Sequence, residues 1–162
     1  MSFKNGSQSG YTLIELLLVM GIFTAFFIIT SMNLLSVRSK TSLGTSVDVL
    51  LADLRSQQAK AMSGASANGT SNVNYGIHFL NNSYVLFKST YSVSDPLNYV
   101  VSLDNLKIDT TFFSSEIVFN KGSGEVANFD SSANTIRFST LGGIVDQKII
   151  IINRLGIVTS VN

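Results

Sequence analysis

The 162-residue chain has no cysteine, a single proline at Pro96, a single histidine at His78, and few charges. Without cysteine there is no disulfide, no thiolate nucleophile and no Cys-ligated zinc site. Charged residues make up 13%, about half the usual share, so Ser, Thr, Asn and Gly must dress the surface. A formal net charge of +1, with no block of like charges, gives no electrostatic footprint for nucleic acid, which is not an expected partner. One histidine cannot form a His-based metal pair, and His78, on a predicted strand, is read as a packed or surface residue. No G-x-S-x-G elbow supports a Ser-His-Asp triad. The acids Asp104, Asp109, Glu116, Glu125, Asp130 and Asp146 are scattered, without calcium-loop spacing. Gly122 to Ala127, "GSGEVA", has the spacing of a dinucleotide fingerprint, but the following "NFDSSANT" is not a helix and the stretch reads as a hairpin loop. No catalytic, cofactor-binding or metal-binding residue is therefore expected, and the chain is not expected to be an enzyme. The 45% of hydrophobic residues and a mean hydropathy of +0.32 allow one domain with a real core plus an appended segment.

The appended segment is N-terminal. "SGYTLIELLLVMGIFTAFFIIT" covers Ser9 to Thr30, and from Leu16 to Val37 no charge occurs. As a helix at about 1.5 Å per residue that uncharged run extends roughly 33 Å, against about 30 Å of hydrocarbon core. A single-pass membrane helix is expected. A removable secretory signal fits less well, because the apolar run is long and no A-x-A-like site follows it. Lys4 before the run and Arg38 and Lys40 after it leave orientation undecided by charge. Glu15 is the anomaly. An ionised carboxylate in a lipid-facing helix costs about 3 kcal/mol at mid-membrane and less near the interface. Either Glu15 reaches outward to the headgroups and does little, or a cation meets it. A cut just before the helix would supply one, since the new α-amine would lie about one turn from Glu15 or beside the Glu15 of a packed neighbour.

Gly10-Tyr11-Thr12-Leu13-Ile14-Glu15-Leu16-Leu17 resembles the processing motif of type IV pilins and type II secretion pseudopilins. The shared pattern is a short polar leader with a basic residue ending in Gly, then an aromatic or apolar residue, Thr-Leu-Ile-Glu and a hydrophobic helix. The resemblance implies cleavage by a prepilin peptidase between Gly10 and Tyr11, N-methylation of Tyr11, and a role for Glu15 in neutralising a neighbour's N-terminus during assembly. Tyr11 departs from the more usual Phe but keeps the ring. The helix-kinking proline of many major pilins is missing, which favours a pseudopilin. Loss of the leader removes Lys4 and leaves the side chains formally neutral. Copies of such a subunit repel one another little.

Beyond Lys40, Val47, Leu50, Leu51, Leu54, Gln58, Ala61 and Met62 recur at spacings of three and four, predicting an amphipathic helix. Gly44 can bend or loosen the junction without ending the helix. One helix from Tyr11 to about Met62 would be roughly 75 to 80 Å long. After the polar break "SGASANGTSNVN" the period changes to two. Strands are expected at 75–80, 83–88, 106–111, 116–120, 135–140, 147–153 and 156–161. Asn81-Asn82 and Asn153 to Gly156 read as turns. The run Ile149 to Ile152 puts isoleucine on both faces of a strand, so both faces must be covered.

The expected organisation is a leader at 1–10, a transmembrane and assembly helix at 11–37, its amphipathic continuation at 38–64, and a β-rich head at 65–162. The fold class is α+β and pilin-like: a long N-terminal helix packed on an antiparallel, two-sheet head. That arrangement, with "DLRSQQAKAMSGA" at the helix end, the "FNKGSGE" turn and the closing "IIIINRLGIVTSVN" hairpin, resembles H-type minor pseudopilins and the related fimbrial minor pilins. The implied function is that of a structural subunit of a type II secretion pseudopilus or type IV pilus. Its expected partners are the prepilin peptidase, other pilin or pseudopilin subunits through their N-terminal helices, the inner-membrane assembly platform and the membrane itself. The expected location is the bacterial inner membrane with the head outside the cytoplasm, then a periplasmic or cell-surface filament. Two rivals are a DNA-uptake or adhesion pseudopilin whose head binds a ligand, and a membrane-tethered hydrolase, for which no constellation speaks.

Overall fold

In the computed structural model the described residues are 12–64, 73–142 and 146–162, with side chains 29–41 excepted. The expected leader at 1–10 and the expected cleavage site between Gly10 and Tyr11 lie outside them. The chain divides into two units, residues 1–38 and 39–162. One helix, α1 (Leu13–Ser63), contributes to both. It begins where Thr12 supplies a cap, and Gly44 stays inside it with open space where a Cβ would project. Residues 65–72 of the predicted polar break are outside the described set.

The second unit holds two four-stranded antiparallel sheets. One has the order β3-β2-β1-β5, built from β1 (Tyr75–Phe79), β2 (Ser83–Lys88), β3 (Tyr99–Ser102) and β5 (Glu116–Phe119). The other has the order β4-β6-β7-β8, built from β4 (Leu106–Thr110), β6 (Thr135–Thr140), β7 (Gln147–Ile152) and β8 (Val158–Val161). Seven strands fall where the period-two pattern puts them. The eighth, β3, was not anticipated: "YVVS" is exposed along most of its length and shows no alternation between core and solvent. The predicted turns are present: Leu80 N–H donates to the Ser83 carbonyl at 2.9 Å, and Gly156 N–H to the Asn153 carbonyl at 2.9 Å.

The core explains the order of elements. Leu43, Val47, Leu50, Leu54, Gln57 and Ala61 are buried at alternating spacings of four and three, so one stripe of α1 faces inward. Against it pack Ile77, Phe79 and Tyr84 of the first sheet and Ile136, Phe138, Ile150 and Ile152 of the second. The stripe differs at one edge from the expected one: Gln57 is buried rather than Gln58, and Met62 is 55% exposed. In the isoleucine run, Ile150 and Ile152 are fully buried, and Ile149 and Ile151 on the opposite face are half-buried. Tyr84 is fully buried with its hydroxyl, which donates to Asp53 Oδ2 at 2.6 Å, so α1 and β2 are joined by a charge-assisted hydrogen bond inside the core.

Candidate functional site: the start of the helix

Of the residues that sequence reasoning singled out, Glu15 lies in the first helical turn, and Gly10 and Tyr11 lie outside the described residues. Thr12 precedes α1, its carbonyl accepts from Leu16 N–H at 3.2 Å, and its Oγ1 lies 3.4 Å from the N–H of Glu15. Thr12 is therefore the N-cap and Glu15 the third helical residue, so Thr-Leu-Ile-Glu has the spacing of a capping box. Glu15 is also the acid of the first turn, where the helix macrodipole favours negative charge. This local role was legible as T-x-x-E, yet sequence reasoning read the motif for processing and for the assembly role of Glu15, not for capping.

Beyond the cap the helix is apolar on every side. Leu13, Ile14, Leu17, Phe23 and Phe27 are 62 to 77% exposed, and no side chain from Thr12 to Ile28 is buried. A helix hydrophobic all round belongs in lipid or in the core of a bundle, and an exposed apolar surface of this extent marks an interaction site. The one hydroxyl between Leu13 and Ile28 is satisfied internally, Thr24 Oγ1 donating to the Met20 carbonyl at 2.8 Å. Glu15 has no such recourse: among the described residues no ion pair involves it. Among the described residues no helix is long and apolar enough to cross a membrane.

In the head, the three short motifs at the helix end, the 119–125 turn and the closing hairpin converge. Gln58 Nε2 donates to the Gly124 carbonyl at 2.9 Å and to the Leu155 carbonyl at 2.6 Å. Gly122 N–H donates to the Ala61 carbonyl, and Val126 N–H to the Arg154 carbonyl, both at 2.9 Å. Arg154 meets Glu125 at 3.3 Å. Gly124 and Gly156 have φ of +69° and +74°, and a Cβ at either would collide with Met62 or Gln58. The "GSGEVA" stretch is thus a loop tied to a helix end, with no helix following it among the described residues.

His78 lies on the outer face of β1, opposite Glu116 across the ladder. Its Nδ1 is 3.8 Å from Glu116 Oε2, has no hydrogen-bond partner, and the ring stacks on Tyr91 at 3.9 Å between centroids. Burial lowers its pKa from the ordinary value, against the opposing pull of Glu116. The role of Tyr91 could not be seen from sequence, because it comes from a loop with no periodicity. A cavity of about 190 Å³ lies beside Glu116, between Phe112, Phe113, Val118 and Asp130. The Asp130 carboxyl is held below its usual range by hydrogen bonds from the Ser132 backbone and hydroxyl. Among the described residues no group of three metal-ligating side chains occurs.

Residues 5–31 match the family model of the prokaryotic N-terminal methylation motif. No curated protein and no solved structure matches the chain. The matched motif is that of type IV pilin-like proteins, structural rather than enzymatic subunits, which are processed as prepilins, anchored in a membrane and then associated with a filament. It covers the expected Gly10–Tyr11 junction and the apolar start of α1, and it supports a type IV pilin-like, prepilin-processed subunit.

Proposed function

We propose that the chain is a minor pseudopilin or minor pilin of the H type, a structural subunit of a type II secretion pseudopilus or a type IV pilus. Prepilin peptidase cleaves between Gly10 and Tyr11 and Tyr11 is N-methylated. The apolar segment 11–37 holds the subunit in the inner membrane with its head outside the cytoplasm, and then packs against the helices of other subunits on the assembly platform. Glu15 draws the amine of a neighbouring Tyr11, which sets the register of one helix against the next.

The observation that carries this reading is an acid without an ion-pair partner among the described residues, in the first turn of an all-round apolar helix and inside a methylation motif. A desolvated carboxylate is stable only beside a cation. Processing provides one, and it provides it at the same end of the helix. Mass spectrometry of membranes from cells carrying the peptidase should find a methylated Tyr11 terminus; an intact Met1 would rule the reading out. Glu15→Ala should insert normally and fail to enter sheared filaments, and wild-type yield would remove the pairing role.

A further inference from the structure

We propose that the cavity beside Glu116 receives an arginine side chain of another protein. At about 190 Å³ it has room for one side chain. Sites for drug-sized ligands begin at about 300 Å³. Its wall joins two chemistries: Phe112, Phe113 and Val118 suit an alkyl stem, and Glu116 and Asp130 supply carboxylates for a charged head. Arginine answers both, because its planar guanidinium binds carboxylates in a fork and stacks on aromatic rings. Phe113 also points to a protein as the source. At 82% exposure its ring offers apolar surface that residues beside the arginine would cover and a free small cation would leave bare.

The head does not supply this cation itself. The two segments that line the cavity, 111–118 and 127–133, contain Glu116 and Asp130 and no lysine or arginine. The flanking strands do carry bases, but Lys107 on β4 pairs with Asp109 at 2.7 Å, Arg137 on β6 lies opposite Asp109 across the ladder, and neither lines the cavity. His78 on β1 lies 3.8 Å from Glu116, and its burial favours the neutral ring. On Asp130, Oδ1 accepts the backbone N–H and the hydroxyl of Ser132 at 2.8 and 2.7 Å, and no described residue donates to Oδ2. The bonds from Ser132 favour the ionised carboxylate. Ser114, Ser115 and Asn128, in the same two segments, have φ of +53°, +54° and +51°. Such left-handed backbone is costly outside glycine and gathers at binding sites.

The test titrates the full-length, isotope-labelled chain in detergent micelles and follows its amide NMR signals. Three probes are used: an acetylated, amidated leucine-arginine-leucine tripeptide, its uncharged citrulline analogue, and agmatine, an alkylguanidine without a peptide. The arginine tripeptide should shift Phe113, Glu116 and Val118 saturably and bind several-fold more tightly than either other probe. Glu116→Gln combined with Asp130→Asn should weaken it several-fold while the signals of β6 and β7 stay in place. Phe113→Ala should bring the tripeptide down to the level of agmatine. Absence of saturable shifts, equal binding of the citrulline analogue, or equal or tighter binding of agmatine overturns the proposal. The subunit reading rests on processing and on α1, which these variants do not touch. Normal cleavage at Gly10 with normal filament entry but no saturable shifts rejects the pocket alone; an intact Met1 with tight tripeptide binding rejects the subunit reading alone.

Discussion

At the scale of single residues, Glu15 does two things that one substitution cannot separate. As third helical residue behind the Thr12 cap it favours the helix start, and as a carboxylate in an apolar surface it favours a nearby amine. Glutamine keeps the reach of the capping box and removes the charge. Glu15→Gln should therefore start the helix normally yet lose filament incorporation, whereas Thr12→Ala should cost about 1 kcal/mol of helix stability and reduce incorporation only modestly. Circular dichroism in micelles together with the yield of sheared filaments checks both. Equal incorporation by Glu15→Gln and the parent would make capping, rather than charge, the function of the acid. Tyr84 is a second residue with a separable role. Burial and the Asp53 carboxylate raise its pKa well above the usual 10.0, so the folded head holds the phenol protonated. That contribution is present below about pH 10 and is lost as pH rises above it, where the unfolded chain ionises. Tyr84→Phe should destabilise the head by about 1.5 to 3 kcal/mol at pH 7. It should also lessen the alkaline loss of stability, read from denaturant midpoints between pH 8 and 11.

At the scale of elements, Gln58 decides how the end of α1 is joined to the sheets. One side-chain amide serves the β5–β6 connection and the β7–β8 turn, and Gly124 and Gly156 clear space for it. Gln58→Ala leaves two carbonyls without that donor and should cost about 1 to 3 kcal/mol, with amide exchange accelerating first at Val126 and Gly156. Uniform acceleration across the head would instead show that the two turns are held by their own backbone bonds. This junction also shows what could be read in advance. Periodicity located the helix and seven strands because each buries one face, and the turn residues Asn81, Asn82, Asn153 and Gly156 separated them. It could not choose between Gln57 and Gln58, since both sit at the margin of the apolar stripe and a rotation of a few tens of degrees exchanges them. It missed β3, an edge strand whose side chains bury no face and so leave no pattern. The Tyr84–Asp53 bond and the stacking of Tyr91 on His78 join residues that no local pattern relates. T-x-x-E was legible as a cap; the conspicuous processing motif overlaid it.

At the scale of the whole molecule, every residue of the buried cluster, from Leu43 to Ile152, falls within the 39–162 unit. That unit therefore carries its own core. Its one histidine gives the head a pH dependence with a definite sign. Burial depresses the His78 pKa, so the folded head prefers the neutral ring, and protonation favours the unfolded chain. The stability in question is present above the unfolded value of about 6.5 and is lost as pH falls from there towards the lower folded pKa. Glu116, 3.8 Å from Nδ1, opposes the loss by favouring the imidazolium, and the Tyr91 ring stacks on the imidazole. Removing the carboxylate should therefore steepen the acid loss and removing the imidazole should flatten it. Residues 39–162 should unfold cooperatively on their own, with a midpoint that falls between pH 6.5 and 5. Glu116→Gln should fall faster over that interval, and His78→Gln should stay nearly level across it. Parallel profiles for all three would place the acid sensitivity elsewhere in the head and make the His78 cluster a packing feature alone.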